Sequence, residues 1–230
     1  MSDFSIQAAG DACLTVEYPP ALDEALALRC AAIARAVRAR KVNGVRDIVA
    51  TFHTVAVHFD PRRVSGPALE AILRDCEGAP LPADASIGSI IEVPVRYGGE
   101  FGPDLASVAA FGNCSPDEVV RLHSAPVYRV FMLGFLPGFA YMGQVDPRIA
   151  APRLAAPRAH VPEGSVAIAG RQTAIYSLDS PGGWQIIGRT SLPLFSRDLA
   201  DPFLFHPADR VKFVSVADAP IEDREAACRS

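Results

Sequence analysis

From Tyr128 onward the chain is a succession of short apolar runs cut by glycine and proline. Val127–Leu133, Ser165–Ala169, Thr173–Tyr176, Trp184–Ile187 and Val211–Val216 are each too short for a stable helix and are bounded by turn residues. Even spacing of such runs predicts an antiparallel β-barrel or sandwich. The first ~85 residues have a different texture and predict a βαββαβ unit of the small ferredoxin-like kind. Cys13–Glu17, Asp47–Phe52 and Val55–Phe59 read as strands. Leu22, Leu26, Cys30, Ile33 and Val37 mark one helix at roughly helical period, which Asn43-Gly44 is expected to stop. Pro67 opens a second helix that ends at Gly78.

Gly78-Ala79-Pro80-Leu81-Pro82 reads as the linker. The expected domains are 1–85 and 86–230. Ile90–Val95 is a strand with Pro94 inside it, and it can complete the first domain or enter the second. Two short helices follow, at Asp104–Phe111 and after Ser115. Ser115-Pro116-Asp117-Glu118 has the order of a capping box with proline at the first helical position.

The net charge of −4 gives no electrostatic footprint for nucleic acid or an anionic membrane. No stretch reaches ~18 uninterrupted apolar residues, and the N-terminus lacks a secretory pattern. The five cysteines, Cys13, Cys30, Cys76, Cys114 and Cys228, are odd in number and form no C-x-x-C pair. They read as reduced thiols of a cytoplasmic protein.

No self-sufficient active-site motif is present. The chain has no phosphate-binding G-x-x-x-x-G-K-[ST], no G-x-G-x-x-G after a strand, no G-x-S-x-G and no H-E-x-x-H. His53 and His58 are five apart in a strand-like run and make poor co-ligands, so no metal site is expected. Chemistry-bearing residues crowd instead into 123–190. His123 titrates near neutrality and can move a proton. Arg153, Arg158 and Arg189 can fork onto carboxylate or phosphate. Gln172 can both donate to and accept from an amide. Gly182-Gly183 lets backbone approach an anion without interference from Cβ. Each has a plainer alternative. Glycine and proline also turn barrels, aromatics mostly pack, and a histidine at a helix end is usually a solvated or capping residue.

Taken in order, the segments Tyr97-Gly98-Gly99-Glu100-Phe101-Gly102-Pro103-Asp104-Leu105, His123 to Tyr128, GFLPGFAYM, PRLAAPR, VPEGSVAIAG, QTAIY and SPGGWQIIGRT resemble the family of 5-oxoprolinase B subunits, also called the KipI or allophanate-hydrolase-subunit-1 family. The resemblance runs over essentially the whole chain. Ala140, Ala174 and Ser177 depart from the expected pattern.

The resemblance implies an N-terminal α/β domain followed by a cyclophilin-like β-barrel. It implies one component of an ATP-dependent 5-oxoprolinase, a hydrolase on cyclic amides, working beside a homologous C subunit and a further A subunit. The complex opens 5-oxo-L-proline to L-glutamate, with Mg2+ accompanying ATP. Two other readings belong to the same family: a KipI-like inhibitor of a sensor histidine kinase, and a carboxyltransferase half of a urea amidolyase-like enzyme. The absent phosphate-binding loop places the nucleotide on a partner or in a shared site. For this activity His123 is the expected proton carrier. Arg153, Arg158, Gln172, Tyr176, Gly182, Gly183 and Arg189 are the expected substrate or phosphate contacts. His123, Arg158, Gln172 and Arg189 are expected to line one cleft with the Ser180–Trp184 loop.

Overall fold

The computed structural model describes residues 4–81 and 90–216. The chain divides into two compact units, Met1–Gly88 and Ser89–Ser230. The 85/86 boundary and Cys228 lie outside the described residues.

The first unit runs β1 (Ser5–Ala8), β2 (Cys13–Glu17), α1 (Glu24–Ala39), β3 (Val45–Ala50), β4 (Thr54–Phe59) and α2 (Gly66–Glu77). Its sheet has the order β1-β2-β4-β3, antiparallel throughout. Asp23 caps α1 by accepting from the Leu26 N–H, and Ser65 caps α2 by accepting from Ala68. Cys30, Ile33 and Val37 of α1 and Leu69, Leu73 and Cys76 of α2 pack against Val16, Val55 and Val57 of the sheet. Each such aliphatic side chain contributes on the order of 1.5–3 kcal/mol by leaving water.

This unit departs from the expected βαββαβ order. The short strand β1 holds the sheet edge beside β2, and the strand that follows α2 joins the other unit. Helix α1 also ends at Ala39, before Asn43-Gly44, with Lys41 taking the positive φ of 46° in the turn. Gly44, at φ +103°, serves a different purpose: a Cβ there would lie 2.8 Å from that of Arg63.

The second unit adds β5 (Ile90–Tyr97), α3 (Leu105–Phe111), α4 (Pro116–Ser124), β6 (Tyr128–Leu133), β7 (Ala140–Gly143), β8 (Arg158–Val161), β9 (Ser165–Ala169), β10 (Gln172–Ile175), β11 (Ser180–Gly182), β12 (Gln185–Arg189) and β13 (Arg210–Ser215). Seven strands close a barrel in the order β10-β7-β6-β13-β5-β12-β9, which fits a cyclophilin-like fold. β8 and β11 form a separate two-stranded ribbon.

The barrel is not wholly antiparallel. β13 runs parallel to β5, an arrangement open to strands separated by a long connection. Inward residues Val93, Val95, Val166, Ile168, Ile175, Ile187 and Phe213 meet Leu105, Val108, Val119 and Leu122 of α3 and α4 in one core. At α4, Ser115 accepts from the Glu118 N–H, whereas the Glu118 carboxylate turns to Arg121 and Arg148. Only half of the expected capping box forms.

Candidate functional site

Strand alternation sends successive residues of β10 to opposite faces. Thr173 and Ile175 point into the barrel, while Ala174 and the following Tyr176 point outward. On the outer face a second cluster forms from Phe139, Val161, Ala167, Ala169, Ala174, Tyr176, Trp184 and Ile186. The small side chains at 167, 169 and 174 leave room that aromatic rings occupy. Phe139 lies edge-on to Tyr141, Tyr176 and Trp184, with centroids 4.8, 5.3 and 5.8 Å away. Edge contacts of this kind add roughly 0.5–1.5 kcal/mol each beyond burial.

The Gly134–Gly138 turn supplies the outermost ring. Phe135 sits at φ +69°, is 61% exposed, and meets Phe139 and Tyr176 edge-on. A bulky residue held in the left-handed region and turned to solvent is uncommon, and such positions concentrate at functional sites. The exposed Arg153 places its guanidinium 5.8 Å over the Trp184 ring.

Arg158 stands directly opposite Gly182 in the β8–β11 ribbon. Its Nη2 donates to Asp104 Oδ1 at 2.6 Å, and Asp104 Oδ2 accepts from the Ile186 N–H at 2.7 Å. Asp104 thereby ties the ribbon to β12. Arg158 Nη1 makes no hydrogen bond among the described residues. Four other buried polar atoms share that condition: Gln172 Nε2, Ser177 Oγ, Ser180 Oγ and Gln185 Oε1. All five belong to the segment 158–185. Buried polar groups are normally satisfied, so this concentration marks a region that water, a ligand or a partner completes.

Arg153, Arg158, Tyr176, Gly182 and Gly183 therefore come together around Trp184. Not all of them face outward. Tyr176 is 1% exposed, with its hydroxyl against the ribbon. A Cβ on Gly182 would lie 2.3 Å from that oxygen, so glycine is required there for packing against Tyr176. A Cβ on Gly183 would meet Pro157 at an ordinary 3.6 Å.

The single cleft expected for His123, Arg158, Gln172 and Arg189 is not what forms. Gln172 occupies the outer face of β10, next to Thr173, which points inward. Arg189 ends β12 opposite Arg96 and Ser165, with Nε donating to the Glu163 carbonyl at 2.9 Å.

His123 lies on the other side of the barrel wall and is 0% exposed. Its Nδ1 is 2.7 Å from Tyr97 Oη and its Nε2 is 2.8 Å from Thr173 Oγ1. Thr173 gives its one hydroxyl proton to the Ala167 carbonyl at 3.1 Å, so it accepts from His123. This fixes the proton on Nε2 and leaves Nδ1 to accept from the Tyr97 O–H. Burial pushes the imidazole down to about 3. His123 is thus a neutral core residue with both ring nitrogens hydrogen-bonded. Its position in α4 carried no sequence signal of burial, because its partners Tyr97 and Thr173 are 26 and 50 residues away.

Sequence reasoning also missed Asp104 as the tie between the ribbon and β12, and Phe135 as an exposed apex. The positive φ of Phe135 is the one feature that the turn sequence Gly134-Phe135-Leu136-Pro137-Gly138 could have suggested. Among the described residues, no group of three or more His, Cys, Asp or Glu side chains is placed to hold a metal ion, and no helix is long and apolar enough to cross a membrane.

This fold, a closed barrel carrying an outer aromatic and arginine shelf, is of the carboxyltransferase-domain class: residues 4–205 match the family model "Carboxyltransferase domain, subdomain C and D". Within that class the sequence is 38% identical over 226 residues to the B subunit of 5-oxoprolinase from Bacillus subtilis, covering 94% of each chain. The chain belongs to the family of 5-oxoprolinase B subunits. Among solved structures, TTHA0988 superposes with a TM-score of 0.83 at 35% identity over 92% of this chain. The chain spans only 41% of the TTHA0988 chain. The Kluyveromyces lactis urea amidolyase shares the fold, with a TM-score of 0.70 at 19% identity and 15% of its length covered.

Proposed function

We propose that this chain is the B subunit of an ATP-dependent 5-oxoprolinase, a cytoplasmic enzyme that opens 5-oxo-L-proline to L-glutamate together with its A and C subunits. The observation that carries this reading is the end-to-end match to a protein named as the B subunit of 5-oxoprolinase, at 94% of both chains. The outer face of the barrel supports it chemically. 5-Oxo-L-proline is a small ring with apolar methylenes, a lactam and a carboxylate. The exposed ring of Phe135 suits the methylenes, Arg153 and the free Nη1 of Arg158 suit the carboxylate, and Gln172 Nε2 suits a lactam oxygen. Fixed donors aimed at that oxygen would stabilise the negative charge it gains on activation.

The sequence carries no phosphate-binding loop, so the nucleotide and its Mg2+ are assigned to a partner or to a site shared with one. The chain alone then has no turnover. That TTHA0988 is more than twice as long as the part matched is in keeping with a second half working beside this one. We also read the first unit as a ferredoxin-like sheet whose edge position is taken by β1 in place of a strand after α2.

A second reading has its own support. The family model and the shared fold with urea amidolyase would suit a carboxyltransferase half acting on a carboxylated carrier. Co-expression of the tagged chain with candidate A and C subunits separates the two. Recovery of a stable complex with both supports the oxoprolinase reading. Failure to retain either, with capture of a biotinylated carrier instead, supports the carboxyltransferase.

A further inference from the structure

Arg189 of β12 stands directly across from Arg96 of β5. Opposed residues of an antiparallel pair project from the same face with Cβ atoms ~4.5–5.5 Å apart. Val95 is fully buried in the barrel and Tyr97 reaches inward to His123, so Arg96 between them points outward, and Arg189 with it. Two like charges set opposite each other repel. Surface arginines usually relieve this with a carboxylate. Here neither guanidinium forms an ion pair with any carboxylate among the described residues. Instead, both are held in place by uncharged partners. The Arg96 guanidinium lies 4.3 Å over the Phe101 ring, and Arg189 Nε donates to the Glu163 carbonyl.

The two arginines line one recess with Pro94, Phe101, Thr190 and Ser191. Arg96 and Phe101 also wall an adjoining recess of about 480 Å³ bounded by the Gly98-Gly99 turn, a size that accepts a small molecule. Glu100 and Asp117 border that larger recess without pairing with Arg96. The residues of the smaller recess include none of those in the Trp184 shelf.

We propose that Arg96 and Arg189 form an oxyanion subsite, separate from the shelf around Arg153, that takes a carboxylate or phosphate group across both guanidinium forks. Each guanidinium is a planar fork whose donors a carboxylate or phosphate can accept bidentately. Binding an anion there also removes the repulsion between the two cations. The site stands independently of the oxoprolinase reading, because it needs only this chain and a ligand.

The test uses the full chain in buffer free of phosphate and carboxylate. Inorganic phosphate, ATP and 5-oxo-L-proline are titrated separately while arginine Nε–H signals are followed by NMR, and melting temperature is read in parallel. Phosphate is expected to shift the Arg96 and Arg189 signals saturably. Arg96→Gln should weaken that binding by about 10-fold or more, on the scale of one lost charge-assisted pair. Arg74→Gln, on a helix of the other unit where Arg74 pairs with Glu70, should leave it unchanged. Without added anion, Arg96→Gln should melt no lower than the parent chain, and it should lose the stabilisation that phosphate confers. Matching shifts from ATP at lower concentration identify a nucleotide phosphate as the source, and matching shifts from 5-oxo-L-proline identify the substrate carboxylate. The proposal is overturned if none of the three anions moves the two signals in the parent chain, or if Arg96→Gln and Arg74→Gln weaken phosphate binding equally. These readouts involve no turnover, so their failure is distinct from failure of the oxoprolinase reading.

Discussion

Replacing His123 with glutamine should flatten the acid side of the stability profile. The unfolded imidazole titrates at ~6.5, whereas burial holds the folded one down to about 3. Between those values the unfolded chain binds a proton that the folded chain refuses. Stability from this group is therefore complete above ~6.5 and is lost as pH falls toward 3. The slope is about 1.4 kcal/mol per pH unit, so going from pH 7.5 to pH 5.0 removes about 2 kcal/mol through His123 alone. No carboxylate offsets this, since the groups facing the ring are Tyr97, Thr173, Tyr128 and Phe213.

The glutamine amide can donate to Thr173 and accept from Tyr97 but does not titrate. His123→Gln should cost about 1–3 kcal/mol at pH 7.5, from imperfect packing and hydrogen bonding. It should also lose about 2 kcal/mol less than the parent between the two pH values. Urea melts followed by the fluorescence of Trp184, the single tryptophan, report on the barrel unit directly. Equal losses in parent and variant would refute the buried neutral imidazole, as would an NMR titration of His123 near 6.5.

Gly182→Ala should destabilise the barrel unit by about 1–3 kcal/mol through overlap with the Tyr176 hydroxyl, while Gly183→Ala stays within ~0.5 kcal/mol. Paired thermal melts check the contrast. Asp104→Ala should cost about 1–3 kcal/mol, because it leaves the Ile186 N–H and Arg158 without their acceptor. A double-mutant cycle with Arg158→Met should recover part of that loss, and strict additivity would contradict the pairing. Arg153→Ala should lower kcat/KM of a reconstituted complex by about 10-fold with the melting temperature unchanged. An unchanged rate would remove Arg153 from the site.

What was legible in the sequence is what short-range chemistry determines. Ser115 announces α4, Ser165–Ala169 marks β9 to the residue, and Pro67 opens α2 within a residue of its start. Within the motif-rich region, Arg153 lies over Trp184 and Arg158 stands opposite Gly182. Long-range pairing decided the rest. Whether β5 completed the first sheet or entered the barrel turned on its partners β12 and β13, about a hundred residues on. β1, β7, β8 and β11 are three or four residues long and carry little periodic signal. His123 and Arg189 lie within the same motif-rich stretch, yet the packing of α4 against the barrel sends one into the core and the register of β12 sends the other to Arg96. No local pattern records that division, since it depends on long-range pairing and packing once the barrel closes.

The central claim is that this chain is one part of a composite enzyme. The direct measurement is release of L-glutamate from 5-oxo-L-proline by the purified chain alone, by the purified A and C subunits together, and by all three, each with and without MgATP. Turnover is expected only when all three are present with MgATP. Robust turnover by the chain alone, or an A–C pair whose rate this chain does not raise, would contradict it.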